Sequence, residues 1–158
     1  MINRELINPQ SIVIVGGSNN VQKPGGRLVR NLLDGKYKGD LYVVNAKETE
    51  VQGVKSYANV AEIPDTELAI ISIPGKACPE VVEVLAKQKN VRAFIIISAG
   101  FGEETVEGGI IENQLLDIIN EAGASFIGPN RIVVMNTNYH GVFALPVPES
   151  HHDGLVII

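Results

Sequence analysis

The sequence predicts a doubly wound parallel α/β sheet, on three observations. Five short runs are almost wholly apolar, three of them lead into stretches with helical apolar spacing, and each ends in a cluster of loop-forming residues. Runs without an alternating polar face suit strands buried on both sides, and right-handed crossovers put the covering helices on both faces.

The first strand is Ser11–Val15, which reads SIVIV and ends abruptly in Gly16 and Gly17. A loop rich in Gly, Asn, Lys and Pro runs to Gly26, and Leu28, Val29, Leu32 and Leu33 then recur at helical spacing until Asp34 and Gly35 end the pattern. LYVVN at 41–45 and LAIIS at 68–72 are too short for helices and supply strands two and three. Cys78, Val81, Val82 and Leu85 form one apolar helical face, and this helix leads to strand four, AFIIIS, at 93–98. Ile111, Leu115, Ile118, Ile119 and Ala122 share the face of a further helix that begins near Val106; Gly123 closes it, and SFIG at 125–128 is strand five.

Residues 139–145 are expected as a short extra strand at the sheet's edge, 146–154 as a polar linker, and the last four residues, LVII, as the first strand of a following domain. The expected organisation is thus a Rossmann-like domain over 1–147, with a linker and a truncated strand over 148–158. A chain of 158 residues is about one domain's worth. Its longest apolar runs, such as 94–97, fall far short of the roughly 20 residues a membrane-spanning helix needs, and the N-terminus lacks a signal-peptide pattern. A cytoplasmic protein without membrane contact is expected. The net charge of −5 and the scattered basic residues argue against a general nucleic-acid binder. Cys78 is the only cysteine, so there is no internal disulfide, and it reads as a small buried hydrophobe on a helix's inner face.

In doubly wound sheets ligands bind beyond the carboxyl ends of the strands. The first such loop, GGSNNVQKPGG, has the parts of a phosphate cradle. Gly16, Gly17, Gly25 and Gly26 let the backbone approach a ligand, while the next helix aims free amides and partial positive charge at it. Lys23 and Arg27 add charge, and Ser18 or Asn19 can donate hydrogen bonds; the plainer alternative is a simple turn. The spacing matches neither G-x-x-x-x-G-K-[ST] nor a clean G-x-G-x-x-G, which leaves P-loop ATP hydrolysis unsupported and weakens ordinary NAD binding. At the end of strand two, where NAD sites place an acidic residue on the ribose, stand Asn45, Ala46 and Lys47. Unless it is merely a solvated surface residue, Lys47 favours a phosphorylated ribose, as in NADP or coenzyme A. Ile73 and Pro74, and the run Ser98, Ala99, Gly100 and Phe101, form narrow turns that would pass a pantetheine arm or a nicotinamide equally well. Gly128, Pro129 and Asn130 make another compact turn.

The combination GGSNN-x-x-K-x-GG, VNAK, ISIP, SAGFGE and GPN, in this order and at these strand ends, resembles the CoA-binding domain of ADP-forming acyl-CoA synthetases; the succinyl-CoA synthetase alpha subunit shares the layout. The resemblance runs from about Asn8 to the C-terminus. SAGFGE and GPN are its specific part, and the glycine loop is generic. It implies that Gly16, Gly17, Ser18, Lys23, Gly25 and Gly26 hold the nucleotide's phosphates, that Lys47 meets the phosphate region of coenzyme A, and that Ile73 and Pro74 flank the adenine. Ser98, Gly100, Phe101 and Asn130 would then lie toward the thiol. In such enzymes acyl-CoA, ADP and phosphate are converted to acid, CoA and ATP through a phosphohistidine on the next domain, with an ATP-grasp partner. Here His140, His151 and His152 lack the context of that histidine and read as structural or solvated. Two departures stand out: Ala46 replaces the family's usual proline, and Arg131 replaces its usual cysteine after GPN, placing a cation near the acyl end.

The leading expectation is therefore the coenzyme A-binding part of such a ligase, inactive alone. A free-standing regulatory CoA module and an NAD(P)-dependent oxidoreductase domain are the alternatives. The second of these should carry an acidic residue where Asn45 stands.

Overall fold

The computed structural model describes residues 2–102, 105–128, 133–135, 138–142 and 156–157. A single helical turn, α1 (Arg4–Ile7), precedes β1 (Ser11–Val15), α2 (Pro24–Asp34) and β2 (Asp40–Val44). A short hairpin, β3 (Glu50–Val51) and β4 (Val54–Tyr57), comes next, then β5 (Leu68–Ile71), α3 (Cys78–Gln88), β6 (Ala93–Ile96), α4 (Val106–Glu121) and β7 (Ser125–Ile127). The chain ends in three small strands, β8 (Val133–Met135), β9 (His140–Val142) and β10 (Val156–Ile157).

The main sheet has the order β3-β4-β2-β1-β5-β6-β7 and is parallel throughout except for the β3–β4 pair. All five strands read from apolar runs are present. Those runs have no polar face because both faces are covered. Val13, Val15, Ala69, Ile71, Phe94 and Ile96 face α3 and α4, with Val82, Leu85, Leu115 and Ile119 packed on them. The alternate residues Ile12, Ile14, Leu68, Ile70, Ala93 and Ile95 face α2 through Leu28, Val29 and Leu32. At about 25 cal/mol per Å² of apolar surface, these two layers are the main source of stability. Cys78 is buried in the first layer, as expected of the inner face of a helix, and burial pushes its thiol above its usual range.

Apolar runs do not reveal the β3–β4 hairpin. Its strands are only two and four residues long, and only Val51 and Ser56 among them are buried. β4 nevertheless extends the parallel sheet beyond β2, with Val43 opposite Ser56 and Val44 opposite Tyr57.

The extra edge strand expected at 139–145 is corrected. His140–Val142 is a strand, but it pairs antiparallel with β8, which also pairs with β10, in a separate three-stranded sheet. Neighbouring contacts explain the placement: the buried Tyr139 hydroxyl donates to the Leu6 carbonyl at 2.7 Å, the Asn138 amide donates to the Ile7 carbonyl, and β9 packs on α2. His140 thus lies against the C-terminal end of α2, where a Cβ on Gly35 would stand 2.7 Å from its Nδ1. The boundary expected between 147 and 148, the linker, residues 143–145, and His151 and His152 lie outside the described residues. Among the described residues no helix is long and apolar enough to cross a membrane.

The amino-terminal edge of the sheet is closed by α1. The Asn3 side chain caps that turn by accepting from the Leu6 amide and donates to the Arg92 carbonyl at 2.7 Å. Arg4 makes a two-pronged bond to Glu67, whose carboxylate also accepts from the Gln10 amide at 2.7 Å. Arg4 chiefly, and the Gln10 amide with it, hold the Glu67 carboxyl below its ordinary range. A carboxylate whose pKa is lower in the folded chain contributes stability above its unfolded pKa and loses it as pH falls through the folded value. Glu67→Gln should therefore lower the urea midpoint at pH 7, and the difference from the unsubstituted chain should begin to narrow as pH falls below the ordinary glutamate value of about 4.3. Paired denaturation curves across that range check it.

Candidate functional site

β1 is the centre of the sheet, and the chain leaves it toward β2 on one side while β5 joins on the other. Ligand crevices form at such switch points. A cavity of about 600 Å³ opens there, above the carboxyl ends of β1 and β2 and against one face of α3. Its floor is Val15, Gly16 and Val44; Ile73 closes one side and Val81 and Val84 of α3 another. The polar residues in its wall are Asn45, Lys47, Asn59 and Glu80. An apolar slot with a few polar groups at its rim is the usual form of a small-molecule site.

The glycines let the backbone come this close. Gly16 has φ +89°, and a Cβ there would stand 2.3 Å from the Ser72 carbonyl oxygen. A Cβ on Gly25 would lie 2.0 Å from the Gly16 carbonyl oxygen, so the first turn of α2 sits directly on the loop that leaves β1. Pro24 occupies the first turn of α2, Lys23 supplies no side-chain cap, and no acidic residue stands in that turn. The positive end of the helix dipole is therefore uncompensated on the helix itself.

The rest of the loop is tied down by side chains. Ser18 is buried and its hydroxyl accepts from the Asn20 amide at 3.0 Å. Asn45 donates to the Gly17 carbonyl at 2.8 Å and accepts from the Lys47 and Glu48 amides. It holds the turn that presents Lys47, whose side chain is exposed at the cavity wall. Asn19 donates to the Glu48 carboxylate and to the Glu50 carbonyl. A further brace comes from Gln52, whose amide donates to the Ser18 and Gly26 carbonyls.

Of the residues singled out in the sequence, Gly16, Asn45, Lys47 and Ile73 line the cavity. Gly17, Ser18, Asn19, Lys23, Gly25 and Gly26 build the loop beside it and do not line it. Pro74 caps the short helical turn before α3. Ser98 is buried beneath, its hydroxyl accepting from the Ile73 amide at 3.2 Å and from the Cys78 thiol at 3.7 Å. Ser98 thereby holds Ile73 in place. Gly100 has φ +97° with open space where a Cβ would be, and Phe101 is buried in the core beneath α4. Asn130 and Arg131 lie outside the described residues.

Sequence reasoning missed the cavity wall formed by 58–61 and by Ala77, Glu80, Val81 and Val84. The first group follows β4, so finding it required the hairpin. Alternation of Val51, Val54 and Ser56 about a Gln-Gly turn is the signal that was available. Val81 was assigned to the core face of α3, and its partial exposure follows from the cavity beside it.

Comparison with known proteins identifies the family and the fold. The family model described as "CoA binding domain" matches residues 10–137. The alpha subunit of acetate–CoA ligase [ADP-forming] II from Pyrococcus furiosus is 41% identical over 133 residues, 83% of this chain and 28% of that one. Acetate–CoA ligase [ADP-forming] II from Archaeoglobus fulgidus is 37% identical over 135 residues, 85% of this chain and 20% of that one. The chain therefore spans between a fifth and three tenths of the length of these curated relatives. Among solved structures, the apo form of the dinucleotide forming acetyl-coenzyme A synthetase 1 of Ca. Korarchaeum cryptofilum superposes with a TM-score of 0.81 at 29% identity, covering 89% of this chain and 31% of that one. With a parallel sheet crossed at β1, a glycine loop seated against its helix, and a family match over most of its length, this chain belongs to the CoA binding domain family.

Proposed function

We propose that this chain binds coenzyme A along the carboxyl edge of the sheet, as the CoA-binding part of an ADP-forming acyl-CoA synthetase. The observation that carries the reading is the apolar cavity at the switch point, with Lys47 in its wall and the glycine loop at its flank. A flat purine suits a slot walled by Ile73, Val81 and Val84. Lys47 would pair with the 3′-phosphate, and the loop of Gly16, Gly17, Ser18, Lys23, Gly25 and Gly26 would take the pyrophosphate at the positive end of α2. The pantetheine arm would then run over the ends of β5 and β6, past Pro74 and Gly100 and above the buried Ser98 and Phe101.

Asn45 favours this over a dinucleotide redox site. An NAD site sets an acidic acceptor at the end of the second strand, whereas the Asn45 side chain is engaged in its own turn and with Gly17. When bound, coenzyme A supplies the thiol that accepts or releases the acyl group. This chain's residues bind and orient it. The phosphorylated histidine and the nucleotide site of the reaction belong, on this reading, to further ligase domains or subunits, including an ATP-grasp partner. Cellular location on this reading is the cytoplasm, where coenzyme A and ADP are available.

Calorimetric titration with coenzyme A, dephospho-CoA, NAD and NADP tests the reading: coenzyme A should bind tightest, and equal or tighter binding of either nicotinamide dinucleotide would overturn it. Lys47→Ala should weaken coenzyme A by about fivefold to tenfold and leave dephospho-CoA unchanged, in line with one exposed charge-assisted contact. Gly25→Ala drives a methyl group against the Gly16 carbonyl, so it should weaken both ligands at least tenfold while the two core layers persist by circular dichroism.

A further inference from the structure

The β3–β4 hairpin turns in two residues, since Val51 pairs with Val54. Both turn residues lie in the left-handed region, Gln52 at φ +50° and Gly53 at φ +85°. Tight hairpins of this hand favour Asn, Asp or Gly at the first position, and glutamine has no local advantage there. The Gln52 side chain bears a second penalty: its Oε1 is buried without a hydrogen-bond partner among the described residues. Strain and an unmet acceptor on one residue point to a use for that side chain.

What it holds is the glycine loop. Gln52 Nε2 donates to the Ser18 carbonyl at 2.9 Å and to the Gly26 carbonyl at 2.8 Å, tying the loop that leaves β1 to the first turn of α2. Its backbone amide donates to Asn19 Oδ1 at 2.7 Å, and Asn19 donates back to the Glu50 carbonyl at 3.0 Å. In a trans peptide the carbonyl and the following N–H point in opposite directions. Drawing the Ser18 carbonyl to the hairpin therefore turns the Asn19 N–H away from it.

Resting on the reading that coenzyme A is the ligand, we propose that Gln52 is a positioning residue for the pyrophosphate. It acts through the loop, holding Ser18 and Gly26 in the conformation that receives the ligand. Asparagine separates this role from the turn itself. It suits the left-handed position better, but it is one methylene shorter, about 1.5 Å, and does not span to both carbonyls.

The test titrates the full chain and its Gln52→Asn and Gln52→Gly variants with coenzyme A and with adenosine 3′-phosphate, and measures each urea midpoint. Adenosine 3′-phosphate keeps the base and the 3′-phosphate and lacks the pyrophosphate. Both variants should match or exceed the unsubstituted midpoint, bind coenzyme A about tenfold more weakly for the two lost hydrogen bonds, and bind adenosine 3′-phosphate unchanged. Undiminished coenzyme A affinity in both variants overturns the proposal. So does an equal loss for the two ligands, or a fall in midpoint that accompanies the loss, since either assigns Gln52 to the fold at large. If the unsubstituted chain ignores coenzyme A, the functional reading falls and the brace with it; unaltered variants of a chain that does bind it remove the brace alone.

Discussion

The close approach of two backbone segments, the loop leaving β1 and the first turn of α2, organises the carboxyl edge of the sheet. With a Cβ on Gly25 placed 2.0 Å from the Gly16 carbonyl, only glycine is compatible with that approach. The approach sets α2 squarely behind the carboxyl end of the central strand. It also leaves the helix dipole facing the crevice without an acidic residue in the first turn to offset it. Sheet order, cavity and charge then converge on one edge.

Around that contact the molecule divides its labour between its two edges. The amino-terminal edge is tied by polar clamps: Glu67 gathers Arg4 and the Gln10 amide, Asn3 reaches the Arg92 carbonyl, and the Tyr139 hydroxyl meets Leu6. The carboxyl edge carries the open cavity, and its side-chain hydrogen bonds serve the loops: Asn45 holds Gly17, Gln52 holds Ser18 and Gly26, and Ser98 holds Ile73. Rigid support beneath an open slot limits what a bound molecule would have to order, one of the entropic costs of recognition. The same division explains Cys78 and Ser98, which are buried beneath Ile73 and shape the wall from below.

The β3–β4 hairpin joins the slot to the glycine loop within the carboxyl edge. It widens the parallel sheet past β2, carries 58–61 into the cavity wall, and braces the glycine loop from the side. This segment of eight residues, two strands and one turn, thereby braces the cradle directly and delivers the chain that follows it to the slot.

The layered α/β architecture was legible in residue order, because Ser11–Val15 and its four counterparts are nearly all apolar and only a sheet covered on both faces can bury them. Residue order also determined which glycines and which lysine stand at the strand ends, since strand ends follow from strands. The partnership of Gln52 with Ser18 and Gly26, the cavity wall from 58–61, and the placement of His140–Val142 on α2 were decided by tertiary structure alone. Periodicity reports which face of an element is buried, whereas these contacts join residues 26 or more positions apart, or depend on a strand too short and too polar to leave a period.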